Sequence, residues 1–364
     1  MADTASRKGW ERMADSDPLV RSVDTLLRGA GQVMFQDSAW CGLFFLLGIG
    51  WGAWKEGIPE VGIGAVLGLV VGTVAACILN APRADIRKGL HGYNGILVGC
   101  ALPTFFGPTL TCWVLVVAGA FFSTVIMLAV SRFLSTWKVS AMTGPFVFTT
   151  WLILLASYNF AHFKITGLPH PAFSVQPSQT MTALPGSEVL FMASLKGISQ
   201  VFLIGNTVTG VLFLIGLACS SLPAAVFAWL GSVVAIATAV FLGADERSVA
   251  EGMYQFSAVL TAIGLGSTFY SPNMRTAFYA LLGTIFTVVA QGALNVALAP
   301  LGIPTLTFPF VLAAWLFLLP NNPPMSGPKA RLKPPKIQMT AMTPMEMKLC
   351  IMMVSTFLRR TRPP

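Results

Sequence analysis

Long apolar segments constrain this chain more than any other feature of its sequence. Only 10% of the 364 residues are Asp, Glu, Lys or Arg, whereas soluble domains carry about 25%. So few charges cannot cover the surface of a soluble protein of this size. Because a spanning helix needs roughly 20 apolar residues, the pattern predicts an all-α integral membrane protein. The segments almost free of ionisable side chains are 39–54, 61–80, 108–131, 144–156, 208–219, 223–243, 276–299 and 305–319.

The net charge of +9 is concentrated at the two ends of the chain and in loops. Cytoplasmic segments of membrane proteins carry an excess of Lys and Arg, so both termini are predicted to be cytoplasmic and the number of crossings even. We expect a cytoplasmic N-terminal segment at 1–30, a basic cytoplasmic tail at 323–364 and a multi-pass protein of the plasma membrane, either a bacterial inner membrane or a cell membrane. Residues 1–30 lack the apolar core of a signal peptide. The membrane location explains the charge without a nucleic-acid partner.

The chain contains an internal duplication. RGAGQVMFQDSAWCGLFFLLG (28–48) resembles KGISQVFLIGNTVTGVLFLIG (196–216), ILVGCAL (96–102) resembles VLTAIGL (259–265), and TGPFVFTTW (143–151) resembles TFPFVLAAW (307–315). The separation is 168 residues at the first block (200 minus 32), 163 at the second (260 minus 97) and 164 at the third (307 minus 143). Because the order is kept and the separation changes little, the blocks indicate two homologous repeats.

The boundary between the repeats predicts their relative orientation. We assign 31–160 to the first membrane repeat, 161–190 to an external inter-repeat loop that is polar and poor in basic residues, and 191–322 to the second repeat. The first repeat then starts inside and ends outside, so the second is inverted, which puts a substrate path at the repeat interface. Each repeat is expected to have five spans and one re-entrant helix, the latter in the Gly-rich segments 89–106 and 252–270.

Two threonines stand at equivalent positions before prolines. Thr143 precedes Pro145 by two residues, and Thr307 precedes Pro309 by two. Because proline lacks an N–H and crowds the carbonyl four residues back, we predict a break in a span that frees this carbonyl in each repeat. A free carbonyl at membrane depth has to face protein or a pore. A kink capped by the threonine explains one such site, but two equivalent sites favour a pore.

Other polar and aromatic residues form equivalent pairs near the ends of the apolar segments. Gln32 and Gln200 each offer a donor and an acceptor, although a helix-end glutamine at the headgroups is the alternative explanation. A flat solute can slide between ring faces, although each ring can equally serve ordinary packing. The aromatic candidates are Phe35, Tyr93, Phe202 and Phe256.

Groups that are missing from the apolar segments also restrict the function. No charged residue lies at the centre of any of them, whereas ion-coupled carriers usually need such groups. The three histidines, His91, His162 and His170, fall in predicted loops, whereas an ammonium channel needs them deep in its pore. The sequence has no nucleophile paired with a base, no phosphate-binding loop and no metal-type spacing. We therefore expect no enzyme activity, no cofactor and no metal.

Three motifs resemble those of the urea transporter family: Gly-Tyr-Asn-Gly-x-Leu-Val-Gly (92–99), Gly-Ile-Ser-Gln-Val (197–201) and Ile-Pro-Thr-Leu-Thr-Phe-Pro-Phe (303–310). The resemblance covers about residues 20–320 and stops before the tail that begins at Met325. It implies a homotrimer in the lipid bilayer with one pore per protomer, ten spans and two re-entrant helices. Urea would pass in single file between aromatic slots, along a row of oxygen acceptors.

The resemblance also implies roles for individual residues. Thr143 and Thr307 would meet at the narrow centre of the pore. One slot would be formed by Gln32, Phe35 and Tyr93, and the other by Gln200, Phe256 and either Phe202 or Leu203. Leu97 and Leu260 would also line the pore. The sequence departs from the family pattern at several places: Val139-Ser140 replaces Leu-Pro, Phe256-Ser257-Ala258 stands opposite Tyr93-Asn94-Gly95, Leu203 stands where a phenylalanine is expected, and Asp37-Ser38 and Gly205-Asn206 replace an Asn pair.

The residues and the resemblance agree on passive, channel-like transport of urea. Urea is flat and neutral, and a narrow pore has to replace its hydrogen bonds to water. Carbonyls, threonine hydroxyls and glutamine amides do this without charge. The alternative is a channel or coupled carrier for another small neutral solute, such as a short amide, ammonia or water.

Overall fold

The computed structural model describes residues 2–172 and 186–320, with side chains from residue 9 onward. The described residues are helical, with no strand among them. The predicted tail at 323–364 lies outside the described residues, as does part of the predicted loop at 161–190. The first half consists of α1 (Ala2–Ser16), α2 (Pro18–Gly31), α3 (Ala39–Lys55), α4 (Pro59–Ile78), α5 (Arg83–Arg87), α6 (Tyr93–Phe106), α7 (Leu110–Leu134) and α8 (Gly144–Ala156).

The second half repeats this order from α2 onward. It consists of α9 (Ser187–Ser199), α10 (Thr207–Ser220), α11 (Leu222–Phe241), α12 (Glu246–Ala250), α13 (Phe256–Ile263), α14 (Met274–Leu298) and α15 (Phe308–Leu318). Helix α13 continues into a π-helical turn at Gly264–Thr268. Only α1 has no counterpart among the described helices of the second half, so the duplicated unit runs from α2 to α8 and from α9 to α15.

Backbone conformation repeats between the halves at individual residues. Five pairs of aligned residues have positive φ angles, between 50° and 84°, a region that side chains other than glycine rarely adopt. Such matched turns are far more specific than a shared helix order, so the halves are copies of one fold. The pairs are Phe35 and Leu203, Asn80 and Gly243, Gly89 and Gly252, Lys138 and Gly302, and Met142 and Leu306.

The change in repeat separation has a structural cause. Helix α3 ends at Lys55 and α4 begins at Pro59, whereas α10 ends at Ser220 and α11 begins at Leu222. The second half therefore has a shorter α10 and a tighter connection to α11. This single deletion accounts for the fall in separation from 168 to 163 residues, and the core of the repeat is unchanged.

The same helix starts are capped in both halves. Ser38 accepts the Cys41 N–H at the start of α3, and Asn206 accepts the Thr209 N–H at the start of α10. The N-cap side chain satisfies an N–H that has no partner within the helix. These are the positions where the family pattern has an Asn pair, so in this chain serine and asparagine serve there as helix caps.

Four of the described helices are long and apolar enough to cross a membrane: α4, α7, α11 and α14. The α2–α3 and α9–α10 pairs are each bent, by 77° and 75°. The bend follows a 3-10 turn, Gln32–Met34 in one half and Gln200–Phe202 in the other. Outward residues such as Phe122, Leu230 and Val289 are more than a third exposed, as expected for side chains that face lipid. The shorter apolar helices are α6, α8, α13 with its π-turn, and α15.

Helices α4 and α6 pack backbone against backbone. A Cβ atom on Gly64, Gly68, Gly95 or Gly99 would overlap a backbone carbonyl oxygen of the facing helix. Small residues at membrane helix interfaces allow this approach, which gains van der Waals contact where no hydrophobic effect drives association. The short helix α6, which begins with Tyr93, is therefore held rigidly against a long helix.

Candidate functional site

The two predicted threonines meet where the halves adjoin. Thr143 Oγ1 and Thr307 Oγ1 lie 2.7 Å apart, and both residues are buried. Each threonine immediately precedes a helix, α8 or α15. Two segments separated by 164 residues therefore contribute one hydroxyl each to a single buried point.

The prolines begin helices, and the predicted breaks within spans are wrong. Pro145 and Pro309 lie in the first turn of α8 and α15, where no intrahelical partner is available for a backbone N–H in any case. The carbonyls expected to be free are those of Ala141 and Thr305. They accept the N–H groups of Gly144 and Phe308, at 3.1 and 3.2 Å.

A left-handed residue shapes the turn before each helix. Met142 and Leu306 have φ angles of 52° and 50°. We name residues 141–144 the Thr143 turn and residues 305–308 the Thr307 turn. Such a conformation costs about 1–3 kcal/mol for a residue other than glycine and persists only where the surroundings enforce it. These two turns aim the threonine hydroxyls at each other.

In the first half, α6 holds the Thr143 turn. The Tyr93 hydroxyl donates to the Met142 carbonyl at 2.7 Å, and the Phe146 N–H donates to Asn94 Oδ1 at 3.0 Å. Tyr93 is therefore bonded through its hydroxyl, and only its ring is available to a solute. In the second half, Phe256 has no hydroxyl to offer, and the buried Ser257 hydroxyl has no partner among the described residues.

Two tryptophans tie each half to the turn of the other half. The Trp151 indole N–H donates to the Pro304 carbonyl at 2.8 Å, and the Trp315 indole N–H donates to the Ser140 carbonyl at 3.0 Å. The sequence reasoning did not propose these residues for the site. Their signal was nevertheless present, because each tryptophan closes its repeated block, TGPFVFTTW or TFPFVLAAW.

The glutamines brace the loops before the short helices. Gln32 Nε2 donates to the Lys88 carbonyl at 2.9 Å, and Gln200 Nε2 donates to the Glu251 carbonyl at 3.0 Å. These bonds connect the bend after α2 or α9 to the loop that precedes α6 or α13. These bonds hold the amides in place, and each amide keeps its oxygen and a second N–H for a solute.

Phe35 and Phe202 occupy different environments. Phe35 is half-buried and packs edge-on against Phe269 and Phe310 of the second half, at 5.6 and 5.8 Å between ring centroids. Phe202 is fully buried against Phe45 and Phe213. Phe202 is therefore a packing residue between the halves.

Leu203 matches Phe35 in backbone conformation. Both residues follow a 3-10 turn with a positive φ, 65° at Phe35 and 61° at Leu203, and both are partly exposed. Of the two candidates for the second slot, this geometry favours Leu203. Leu97 and Leu260 are fully buried on α6 and α13, and Phe256 is partly exposed at the start of α13.

The residues that the sequence predicts for the site carry no charge. Their polar groups are hydroxyls, amides and backbone carbonyls, and the described residues contain no cluster of His, Cys, Asp or Glu suited to a metal ion. His91 lies buried in the loop between α5 and α6, where neither ring nitrogen has a partner among the described residues. Burial lowers the pKa of His91 to about 4, so its ring is neutral at physiological pH.

The described helices form two copies of one fold that meet at a buried hydroxyl pair, and the family that the chain matches is one of membrane transporters and not of enzymes. The chain belongs to the urea transporter family, whose model matches residues 23–322. It is 29% identical over 310 residues to urea transporter 1 of Ovis aries and to urea transporter 1 of Capra hircus. The protein of Rattus norvegicus is 28% identical over the same length. Each comparison covers 84% of this chain and 79% of the relative.

Proposed function

We propose that this chain is a passive, channel-like transporter of urea. The observation that carries the proposal is the hydroxyl pair of Thr143 and Thr307, 2.7 Å apart and buried between two homologous halves. A pathway through this point offers hydrogen bonds without charge, which suits a small neutral amide. The membership of the urea transporter family and the names of its relatives support urea as the solute.

Urea exchanges its hydrogen bonds to water for bonds to the protein at the constriction. It has four N–H donors, and each threonine oxygen and turn carbonyl accepts one. Because the two hydroxyls are bonded to each other here, urea has to part them and replace their mutual bond with bonds to itself. An unpaired buried polar group costs about 1–3 kcal/mol, so this one-for-one exchange keeps the barrier low.

The approach to the constriction on each side is a slot for a flat molecule. We assign the first slot to Gln32, Phe35, Tyr93 and Leu97, and the second to Gln200, Leu203, Phe256 and Leu260. Apolar faces hold the planar solute, while glutamine oxygens accept its N–H groups at the slot edge. The bracing of both glutamine nitrogens by backbone carbonyls supports a fixed orientation of those oxygens.

The finer features of the assembly belong to the same proposal. The protein acts as a homotrimer in the plasma membrane, with one pore per protomer, inverted repeats and both termini in the cytoplasm. The sequence predicts repeats at residues 31–160 and 191–322, separated by an external loop at 161–190. Because α2 and α9 are equivalent helices, we extend the repeats so that they begin at Pro18 and Ser187. Matched positive-φ turns in the two halves support the repeat assignment, and the terminal excess of basic residues supports the orientation.

Stopped-flow measurement of proteoliposomes tests the proposal. Urea should equilibrate rapidly in either direction, with no response to a proton or sodium gradient, because the site lacks a charged group for coupling. Thiourea, formamide, ammonia and water should be measured in the same vesicles. Accumulation of urea above its external level under an imposed ion gradient would establish the coupled carrier instead, and faster flux of another solute would reassign the substrate.

A further inference from the structure

The two halves surround the same backbone turn with different side chains. In the first half, Tyr93 and Asn94 bond to the backbone around the Thr143 turn, and Met127 Sδ lies 3.4 Å from the Tyr93 hydroxyl and 3.6 Å from the Asn94 amide nitrogen. The Tyr93 hydroxyl and both polar atoms of the Asn94 side chain therefore have hydrogen-bond partners. The residues at the equivalent positions of the second half are Phe256, Ser257 and Gln291.

The second-half cluster has two buried oxygens without a protein partner. Neither Ser257 Oγ nor Gln291 Oε1 has a hydrogen-bond partner among the described residues. Ser257 is 0% exposed and Gln291 is 4% exposed. The nitrogen of the Gln291 amide is used: it donates to Thr305 Oγ1 at 2.6 Å and to Asn295 Oδ1 at 3.0 Å. In this orientation of the amide, the atom without a partner is its oxygen.

The register of α13 and α14 makes Ser257 and Gln291 neighbours. The Thr261 and Thr287 hydroxyls of these helices lie 2.8 Å apart. Ser257 precedes Thr261 by four residues and Gln291 follows Thr287 by four, so on antiparallel helices the two side chains face each other one turn further along. Their first-half equivalents, Asn94 and Met127, are in contact. No direct hydrogen bond joins Ser257 to Gln291.

We propose that a single water molecule binds between Ser257 Oγ and Gln291 Oε1, behind the Thr307 turn. A buried water typically makes about three hydrogen bonds to otherwise unsatisfied groups. Ser257 and Gln291 supply two. The third comes from the Leu306 carbonyl or the Phe310 N–H, whose first-half equivalents are bonded by Tyr93 and Asn94.

The side chains that differ between the two halves provide the space for this water. Phe256 lacks the hydroxyl of tyrosine, and serine is shorter than asparagine, while glutamine and methionine are similar in length. Water thus takes the place of the Tyr93 hydroxyl and the Asn94 amide. The second half of the constriction is supported through Gln291, Thr305 and water, and the first half by direct side-chain bonds. This inference does not depend on which solute the pore conducts.

A high-resolution map of the full-length protein in nanodiscs, without urea, tests the site directly. We expect one spherical density within hydrogen-bond reach of both Ser257 Oγ and Gln291 Oε1, and none at the equivalent place beside Asn94. A direct bond between Ser257 and Gln291, or an empty gap, would overturn the proposal. A flat density that appears only after urea is added would likewise show that the ligand is the solute and not water.

Exchange variants test the same site without a map. Gln291→Met alone removes the amide and leaves Ser257, Thr305 and the turn without partners, so the melting temperature should fall. Adding Phe256→Tyr and Ser257→Asn installs the first-half cluster and should restore the melting temperature. Thr284→Val is the matched control on α14, because the Thr284 hydroxyl bonds only to Ala280 of its own helix. If the triple variant melts no higher than Gln291→Met, the water site is wrong.

Discussion

At the scale of single residues, the buried contact between the halves depends on two threonines whose side chains are oriented by their backbone. Met142 and Leu306 adopt left-handed conformations, and the turns that contain them direct Thr143 and Thr307 at each other. Because a hydroxyl both donates and accepts, one threonine hydroxyl donates to the other in the absence of a solute. The same two groups are then available to a polar molecule that separates them.

Replacement of either threonine by valine should slow urea flux. Thr143→Val or Thr307→Val keeps the side-chain size and removes one hydroxyl, so a passing N–H and the remaining threonine both lose a partner. The cost of about 1–3 kcal/mol corresponds to a decrease of roughly 5- to 150-fold if it falls on the barrier. Stopped-flow flux at matched protein density measures this. Thr→Ser should be milder, and Thr284→Val is the control for a buried threonine elsewhere. Wild-type flux in both valine variants would remove the threonines from the pathway.

His91 should make stability, but not transport, sensitive to acid. Burial places its folded-state pKa at about 4, below the ordinary value of about 6.5. The unfolded chain therefore binds the proton more readily, and stability should be complete above about pH 6.5 and decline as the pH falls toward about 4. Melting temperature against pH measures the effect. His91→Gln should flatten the decline, whereas His162→Gln, at an exposed position, should not. Equal slopes in the wild type and His91→Gln would contradict the assignment.

At the scale of elements, the halves differ in how closely their short helices pack. Glycines of α4 and α6 allow backbone contact in the first half. The equivalents in the second half are Phe227, Gly231, Ala258 and Ala262, and Gly231 faces the Ala262 methyl group. The second-half helices are thus separated by side chains. Helix α6 is consequently more tightly fixed than α13.

Gly95→Ala should disrupt the first half. Its new methyl group would meet the backbone of Gly68, and backbone cannot move aside as a flexible side chain does. Overpacking of this kind costs about 1–3 kcal/mol, so we expect a lower melting temperature and slower urea flux. Gly50→Ala is the matched control, because a methyl group there meets nothing within 4 Å. A Gly95→Ala protein as stable as Gly50→Ala would refute the close packing of α4 on α6.

At the scale of the whole molecule, the two halves share one buried centre. Thr143 bonds to Thr307, and Trp151 and Trp315 each bond to a carbonyl of the opposite half. Such reciprocal contacts are typical of two copies related by a pseudo-two-fold axis. In a membrane, an axis that lies in the bilayer plane puts equivalent loops on opposite faces.

Cysteine labelling can determine this orientation. Ala84 and Arg247 are exposed second residues of the equivalent helices α5 and α12. In inverted repeats, Ala84→Cys and Arg247→Cys should react with a membrane-impermeant maleimide from opposite sides of sealed vesicles. The native cysteines have to be replaced first, since Cys77 and Cys219 are partly exposed. Labelling of both positions from the same side would mean that the repeats are parallel.

Much of this molecule follows from patterns along the sequence. Apolar segments and scarce charge require a helical membrane protein, because unpaired backbone groups are too costly in lipid. The repeated blocks identify the duplication and single out Thr143 with Thr307, and the motifs indicate the urea transporter family, which the family match confirms. These properties depend on residue type and spacing, which a single chain displays directly.

Tertiary structure alone decided how those residues are used. From the sequence, each proline is expected to break a helix. In the structure, Pro145 and Pro309 lie in the first turn of a helix, because a left-handed turn precedes each of them. Phe202 and Leu203 are adjacent and similar in the sequence, but only the backbone turn sends one into the core and leaves the other accessible. The Trp151 and Trp315 bonds and the facing of Ser257 and Gln291 arise from packing between helices distant in sequence, which no local pattern encodes.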